Sequence, residues 1–400
     1  MELIAQRIHN LSESETLAMT RRCRELAAQG IEVINLSIGE PDFNTPGHIK
    51  EAAIKAIHEN RTHYPPVPGY LELRKAICHK LKRDNNLEFT PEQIVVSTGA
   101  KHSIANAIIS LVNAGDEVIL PAPYWVSYKE MVKLARGMAV FVPATVETDF
   151  KITPEQLESA ITPKTKVVLY SSPCNPTGSV YTREELYNLA MVIARHPGMY
   201  VISDEIYELI NFDSHHESIA QFDFIRDQVI LINGVSKGFA MTGWRLGYLA
   251  APLPVAKACD KLQGQMTSAT CSISQYAALE AMMTEPGKSP EIREMLATFR
   301  ERRDKVQELL GDIPGLITNV PKGAFYFFPD VTSYFGKSYQ DRVIKNANDL
   351  ANYLLDIAHV AVVPGDAFGN PDCIRISYAT SIDLLTEAIS RIRHALAGLR

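Results

Sequence analysis

Short apolar runs alternate with amphipathic segments through the middle of the chain, from about residue 93 to residue 250. Six of these runs cover residues 93–96, 117–120, 166–170, 200–203, 229–232 and 246–249, and all but the last contain at least two β-branched residues. Strands that are apolar throughout and separated by helices are typical of a parallel sheet that is covered on both faces. The pattern therefore predicts a large α/β domain.

Two helix starts within this region support the same interpretation. Thr153 and Thr182 each precede a helical pattern and are followed three residues later by Gln156 and Glu185. This spacing predicts a capping box, in which the two side chains satisfy each other's backbone N–H groups.

Beyond about residue 285 the pattern changes. It predicts a long charged helix at 289–311, short strands near 325–327, 360–363 and 373–376, and a closing helix at 381–398. We therefore predict three parts of the chain, with boundaries at about residues 45 and 285. They are an N-terminal segment at 1–45 that joins the small domain, a large domain at 46–285, and a small α+β domain at 286–400.

Composition disfavours several classes of protein. The 400 residues carry a net charge of −6 that is spread along the chain, and without a basic block we expect no nucleic-acid partner. The first residues lack the apolar core of a signal peptide, and no stretch reads as a membrane span. We therefore expect a soluble, cytoplasmic protein with no membrane partner.

The cysteines point to the same compartment. They lie far apart without a C-x-x-C pair, at Cys23, Cys78, Cys174, Cys259, Cys271 and Cys373. This spacing fits reduced thiols in a cytosolic enzyme better than a disulfide framework or a zinc site, so we expect no metal. Cys174 is the cysteine that lies nearest to the candidate chemistry.

Five separated segments carry matched polar groups: LSIGEPDF at 36–43, SPCNPTG at 172–178, DEIY at 204–207, SKGFAMTGWR at 236–245 and IRISY at 374–378. Together they resemble the active site of pyridoxal-phosphate aminotransferases of fold type I, most similar to the bacterial aspartate aminotransferase branch. The resemblance covers nearly the whole chain. It implies a mostly parallel seven-stranded sheet flanked by helices, a smaller α+β domain built from both termini, and pyridoxal 5′-phosphate bound by the large domain.

Lys237 is the residue on which this interpretation depends most. A lysine amine can condense with an aldehyde to form a Schiff base and can then move protons as a free base. The alternative is a solvated surface lysine, which a lone Ser-Lys pair would favour.

The resemblance assigns partners to the cofactor ring. Asp204 follows the predicted strand at 200–203 and would pair with the ring nitrogen, whereas a helix cap or a solvated loop carboxylate is the alternative. Tyr207 and Asn175 would reach the phenolic oxygen of the ring, and Asn175 would also touch the substrate carboxylate. Lys237, Asp204 and Tyr207 are therefore the predicted catalytic residues.

The phosphate needs backbone N–H groups and a cation. The strand-to-helix turn at 97–101 supplies a helix N-terminus, although such a turn is often only a connection. By resemblance, the remaining cofactor contacts are Gly99, Ala100, Lys101, Ser236, Arg245, Trp125 stacked on the ring, and Tyr64 from a second subunit. An apolar Trp is otherwise usually part of a core.

Arg375 is the predicted substrate residue, because a planar guanidinium binds an α-carboxylate through two parallel hydrogen bonds. A surface ion pair is its alternative. Gly39 permits close backbone approach to a ligand, or forms only a strand-end turn. Trp125 and Asn175 complete the substrate contacts. Lys101 would bind the distal carboxylate of aspartate or glutamate, unless it is only a solvated lysine at a helix start.

The predicted reaction is transamination in two half-reactions, most simply from L-aspartate to 2-oxoglutarate, giving oxaloacetate and L-glutamate in a homodimer with shared sites. The rivals are an aminotransferase for aromatic or neutral amino acids, a C–S lyase or decarboxylase on the same fold, and an aminotransferase-like regulator. Relatives that use prephenate have a basic residue near the N-terminus. Here Ser12, Glu13 and Ser14 stand nearby, which disfavours prephenate.

Overall fold

The computed structural model describes residues 4–13, 15–212 and 215–400. The helices are α1 (Gln6–His9), α2 (Glu15–Ala28), α3 (Gly47–His58), α4 (Leu71–Asn85), α5 (Ala100–Leu111), α6 (Ser127–Leu134), α7 (Pro154–Ala160), α8 (Arg183–Ala194), α9 (Leu253–Met266), α10 (Ser272–Met283), α11 (Pro290–Gly311), α12 (Ala347–Tyr353) and α13 (Ile382–Ala397). A turn of π-helix, Leu354–Ala358, follows α12.

The strands are β1 (Ile34–Asn35), β2 (Ile94–Ser97), β3 (Glu117–Ala122), β4 (Met138–Pro143), β5 (Thr165–Ser171), β6 (Tyr200–Asp204), β7 (Val229–Gly234), β8 (Gly247–Ala250), β9 (Tyr326–Phe327), β10 (Ser338–Tyr339), β11 (Arg342–Val343), β12 (Val360–Ala361), β13 (Val363–Pro364) and β14 (Ile374–Ser377). Seven of them form one sheet in the order β2-β8-β7-β6-β5-β3-β4. Only β8 pairs antiparallel with its neighbours in this sheet. The predicted fold class is confirmed.

The edge strand β4 is the one strand of this sheet that the hydrophobic pattern did not predict. It is apolar, but Met138 is 60% and Phe141 44% exposed, because β4 has a neighbour on one side only. It also ends at Pro143, which is typical of an edge position. The six predicted strands all correspond to observed ones.

The predicted helix signals are also present. The hydroxyls of Thr153 and Thr182 accept hydrogen bonds from the backbone N–H groups of Gln156 and Glu185, and both capping boxes are closed. The helix predicted at 289–311 is Pro290–Gly311, and the one predicted at 381–398 is Ile382–Ala397. Both begin directly after a capping serine.

A second hydrophobic core lies in the C-terminal part of the chain. β13, β14 and β9 form a small antiparallel sheet, and β1 pairs in parallel with β12. Ile34 and Leu36 therefore pack in the same cluster as the C-terminal helices. Ile206 and Tyr207, which follow β6 of the large sheet, belong to this cluster as well. The domain boundaries at residues 45 and 285 stay predictions.

Two further observations concern the expected cellular context. In the described ranges, no helix combines the length and apolar character that crossing a membrane requires. All six cysteines are free thiols, and four of them are buried. Cys23, Cys174, Cys259 and Cys373 thus belong to the packed interior, whereas Cys271 is exposed.

Candidate active site

Three neighbouring strands of the large sheet bring the predicted residues together. Asp204 is the last residue of β6 and pairs in register with Ser171, the last residue of β5. Asn175 follows β5, and Lys237 follows β7 by three residues. Since parallel strands present their carboxyl ends at one edge of the sheet, the three segments meet there.

A cavity of about 300 Å³ opens at this edge. The predicted residues that line it are Gly39, Ala100, Lys101, Trp125, Asn175, Asp204, Tyr207, Ser236, Lys237, Arg245 and Arg375. A larger, more open cleft of about 830 Å³ lies elsewhere, near Tyr339 and His394, and it contains none of them. The smaller cavity is therefore the candidate active site.

Lys237 directs its amine into this cavity. Its Nζ donates a hydrogen bond to the Gly39 carbonyl at 2.5 Å. Burial lowers the pKa of Lys237 to about 8, with Glu40 opposing the shift and Arg375 adding to it. A larger fraction of the amine is consequently unprotonated at neutral pH than for an ordinary lysine, as a nucleophile or base requires.

Asp204 is buried, and two donors hold it. The Tyr128 hydroxyl donates to Oδ2 at 2.6 Å, and the Ile206 N–H donates to Oδ1 at 3.2 Å. Burial nevertheless raises the pKa of Asp204 to about 6, although both hydrogen bonds act against this shift. A cation placed next to this carboxylate would favour its charged form.

A buried polar network fixes the segment that carries Asp204 and Tyr207. Glu205 accepts hydrogen bonds from Ser203 and Ser218 and faces His216 Nε2 at 2.9 Å. Glu208, in the same turn, is paired with the Lys80 ammonium group. Since truncating either side would leave a buried charge unpaired, this network resists displacement of the turn.

Tyr207 forms a hydrogen-bonded pair with Tyr326, with 2.9 Å between the two hydroxyl oxygens. Burial raises the pKa of both phenols, so both hydroxyls keep their protons at neutral pH. Tyr326 also lines the cavity, but the sequence analysis did not identify it.

Arg375 is buried, and its hydrogen-bond partners in the described part of the chain are neutral. Nη1 donates to Asn175 Oδ1 at 3.0 Å, and Nη2 donates to the Ser37 carbonyl at 2.6 Å. Its guanidinium lies 4.5 Å from the ring centre of Tyr326 and 5.0 Å from that of Phe368. Within residues 4–13, 15–212 and 215–400, Nε has no partner. A buried cation with neutral partners is well suited to an anionic ligand.

The start of α5 forms one end of the cavity, where the backbone is unusually close-packed. Gly99 has φ +87°, and a Cβ there would lie 2.4 Å from Arg245 Nη2. A Cβ on Gly247 would lie 2.2 Å from the Ala100 nitrogen, so this strand residue must also be glycine. The first N–H groups of α5 and the Arg245 guanidinium thus border the same space, which suits a phosphate.

Lys101 and Trp125 lie on another side of the cavity. Lys101 Nζ is 4.8 Å from the centre of the Trp125 ring, and Trp125 packs edge-on against Tyr128. Partial desolvation and the nearby Arg245 lower the pKa of Lys101. Lys101 therefore lines the cavity, although its side chain remains exposed to solvent.

Several predicted residues lie outside the cavity. Tyr64 is 96% exposed and does not line the site of its own chain. Gly99 does not line the cavity itself, but it adjoins Ala100 and lies next to Arg245, which do. Cys174 is buried beside Pro123 and does not line the cavity. Near the N-terminus, the Ser12 N–H donates to Glu130, while Ser14 lies outside the described residues.

The structure adds lining residues that were not among the predicted site residues: Thr16, Val126, Ser127, Tyr128, Ser171, Ile206, Thr242 and Tyr326. Tyr128 could have been found, because it follows Trp125 by only three residues and lies at the start of α6, close enough for the edge-on contact that the two rings make. Tyr326 could not, because the run 325–328 is aromatic throughout and does not reveal which side chains face the cavity.

Comparisons with known proteins match the whole chain. Residues 31–392 match the family model described as aminotransferase class I and II. The chain is 47% identical over 399 residues to the bifunctional aspartate aminotransferase and glutamate/aspartate-prephenate aminotransferase of Petunia hybrida, covering 99% of this chain and 83% of that protein. It is 45% identical over 392 residues to the aspartate aminotransferase of Bacillus subtilis, covering 98% of each. The crystal structure of the aspartate aminotransferase from Rhizobium meliloti superposes with a TM-score of 0.96 at 41% identity, covering 100% of both chains.

Proposed function

The chain belongs to the aminotransferase class I and II family, and on this premise we propose that it transfers the amino group of L-aspartate to 2-oxoglutarate. The products are oxaloacetate and L-glutamate. The observation that carries the proposal is the buried Arg375 guanidinium, which faces the same cavity as the Lys237 amine and has neutral partners. A substrate carboxylate would supply the missing negative charge and fix Cα relative to Lys237.

The family depends on pyridoxal 5′-phosphate, and the donor set of the cavity fits that cofactor. Lys237 would bind its aldehyde carbon, Asp204 its ring nitrogen, and Tyr207 with Asn175 its phenolic oxygen. Trp125 would cover the ring, while the phosphate contacts would come from Gly99, Ala100, Lys101, Ser236 and Arg245. When bound, the cofactor supplies an electron sink for the negative charge that develops at the substrate's Cα.

The chain's own residues then perform the proton chemistry. Arg375 holds the α-carboxylate and presents the Cα–H bond to the Lys237 amine. Lys237, whose pKa is lowered to about 8, would take the Cα proton as a general base and donate it, as a general acid, to the C4′ carbon of the cofactor. Asp204, negatively charged beside the ring nitrogen, would hold a proton on that nitrogen.

Lys101 supports the choice of a dicarboxylic substrate. Its ammonium group lies at the cavity beside Trp125, where it would meet the distal carboxylate of aspartate. An aminotransferase for aromatic or neutral amino acids needs no cation for a distal carboxylate, so in such an enzyme Lys101 would serve only the cofactor. We expect prephenate to be a poor substrate, because Ser12, Glu13 and Ser14 supply no basic side chain at that place near the N-terminus.

A panel of amino donors with 2-oxoglutarate tests the proposal. We expect aspartate to give one oxaloacetate for each glutamate formed, with alanine, phenylalanine and the glutamate–prephenate pair much slower. Release of ammonia or carbon dioxide without stoichiometric glutamate would instead identify a lyase or a decarboxylase. Fastest turnover of an aromatic or neutral donor would refute the preference for aspartate but not the transamination.

We also infer that the working unit is a homodimer with shared sites. Tyr64 is 96% exposed within one chain, which fits a side chain that completes the phosphate contacts of a second subunit. Each site would then be composite.

Hybrid dimers test this inference. In a hybrid of Tyr64→Ala and Lys237→Ala subunits, the site with the intact lysine receives its tyrosine from the other subunit. We expect such hybrids to regain up to half of the wild-type activity at limiting cofactor, above either parental homodimer. Confirmed hybrid formation without recovery would place Tyr64 outside the neighbouring site.

A cytoplasmic location is part of the same proposal. Its support is the set of six free thiols, since an oxidising compartment favours disulfides. Fractionation of cells that express the full chain, with activity measured in each fraction, tests the location.

A further inference from the structure

Tyr326 touches three residues that the proposed function uses. Its hydroxyl is 2.9 Å from the Tyr207 hydroxyl, and its ring lies 4.5 Å from the Arg375 guanidinium. A Cβ on Gly39 would lie 2.7 Å from the same hydroxyl. We propose that Tyr326 is a positioning residue. It orients Arg375, which binds the substrate carboxylate, and Tyr207, which donates a hydrogen bond to the cofactor; this inference rests on the proposed function.

Strand register explains how one side chain reaches both groups. β9 pairs antiparallel with β14, so Tyr326 lies opposite Ser377. Arg375 precedes Ser377 by two residues and therefore shares its face of the sheet, diagonal to Tyr326. Tyr207 approaches from the end of β6 in the large sheet. Tyr326 is thus a contact between the small C-terminal sheet and the large sheet, at the cavity.

The direction of the hydrogen bond between the two hydroxyls is fixed when Tyr207 donates its hydrogen to a ligand in the cavity. A phenol has one hydrogen, so a Tyr207 that donates into the cavity cannot also donate to Tyr326. The hydrogen between the two oxygens must then come from Tyr326. Because hydrogen bonds in a chain polarise one another, the Tyr326 hydroxyl strengthens the bond that Tyr207 gives to an anionic ring oxygen.

The ring of Tyr326 has a separate task. The Arg375 guanidinium lies between Tyr326 and Phe368, and its protein acceptors are one amide oxygen and one carbonyl. Flat contact with aromatic faces stabilises a guanidinium and limits its tilt. The ring therefore keeps the plane of Arg375 ready for two parallel bonds to a carboxylate.

Two substitutions separate these tasks in the holoenzyme. Tyr326→Phe removes the hydroxyl and keeps the ring, whereas Tyr326→Leu removes both. Tyr378→Phe is the matched control, because Tyr378 is a buried tyrosine of the same cluster whose hydroxyl donates to the Ala324 carbonyl at 3.1 Å, outside the cavity. Each variant is measured for the pH midpoint of the bound cofactor's absorption change, for kcat and KM with the best donor of the panel, and for thermal stability.

For Tyr326→Phe we expect the pH midpoint of the cofactor's absorption change to rise by about half to one pH unit with KM unchanged. Tyr207 would donate a weaker hydrogen bond to the ring oxygen, so this oxygen would keep more negative charge and hold a nearby proton more tightly. For Tyr326→Leu we expect the same shift and a KM about tenfold higher. The control should lose stability while its midpoint and KM stay at wild-type values.

An unchanged midpoint in Tyr326→Phe would overturn the proposal, as would an unchanged KM in Tyr326→Leu. Changes in thermal stability alone, as in the control, would show a purely structural role and overturn it as well. If the leucine variant fails to fold, the midpoint of the phenylalanine variant decides. The proposed function fails separately, when wild-type enzyme shows no cofactor absorption or no transamination with any donor.

Discussion

Two regions of the cavity carry opposite charges and stabilise them differently. The strand-end region, formed by Asp204, Tyr128 and Lys237, holds a buried carboxylate with two hydrogen-bond donors. The C-terminal region, formed by Arg375, Tyr326 and Phe368, holds a buried guanidinium between two aromatic rings. In both regions, the protein itself leaves the buried charge only partly compensated.

The difference lies in how each charge responds to burial. Asp204 can take up a proton, and its pKa of about 6 puts that change close to neutral pH. Arg375 cannot lose its proton under such conditions, although burial lowers its pKa. In the strand-end region the carboxyl group of Asp204 can therefore change its protonation state. In the C-terminal region Arg375 keeps its positive charge and would set the orientation of the substrate. The following substitutions test that division, beginning with the largest expected effect.

Replacing Lys237 with Ala should abolish the proton transfer that the strand-end region performs. We expect the variant to keep the cofactor and to lose transamination by about 10⁴-fold or more, since it lacks the amine that would take the Cα proton as the general base. Single-turnover kinetics with aspartate and the absorbance of bound cofactor measure the two effects. A turnover rate equal to that of the wild type would contradict the assignment of Lys237.

Replacing Arg375 with Lys keeps the charge of the C-terminal region but removes its planar geometry. We expect kcat/KM for aspartate to fall by about 10²-fold, because a lysine cannot make two parallel bonds to a carboxylate. Arg303→Lys is the control, since Arg303 is also buried and lies 5.2 Å from the Phe212 ring, outside the cavity. Equal losses in both variants would mean that Arg375 acts through stability alone.

Replacing Lys101 with Ala should affect dicarboxylic substrates selectively. A charge-assisted contact contributes about 1.5–3 kcal/mol, so we expect kcat/KM for aspartate to fall by about 10- to 100-fold while that for alanine changes little. Lys129→Ala removes a similar lysine, 5.8 Å from the Phe141 ring, and serves as the control. If aspartate and alanine lose the same factor, Lys101 serves the cofactor or the fold.

Replacing Asp204 with Asn should stabilise the apoprotein while slowing the holoenzyme. The folded pKa of about 6 is above the usual 3.8, so the folded state binds more protons between these values and wild-type stability is lost as pH rises through them. We compare the unfolding free energy of the variant with that of the wild type at each pH. We expect the variant's excess over the wild type to be on the order of 2 kcal/mol larger near pH 7.5 than near pH 4.5. Urea unfolding of both apoproteins at the two pH values measures it. An advantage that does not change with pH would show that Asp204 is not destabilised by burial.

The sequence identified the residues whose chemistry follows from their place at a strand end. Asp204 and Lys237 each follow an apolar strand, and the edge where parallel strands end is where such folds bind ligands. The capping threonines at the starts of α7 and α8 were equally predictable from the sequence, because a capping box involves residues only three positions apart. The assignment of individual contacts to cofactor and substrate still rests on resemblance and awaits the substitutions above.

Only the tertiary structure revealed the contacts between distant segments. Tyr326 meets Tyr207 across 119 positions of the chain, and Tyr128 meets Asp204 across 76. Gly247 must be glycine because the Gly99–Ala100 turn passes over it. Local patterns of polarity determine which strands and helices form, whereas these contacts depend on how elements that are distant in the chain pack together, which no single segment encodes.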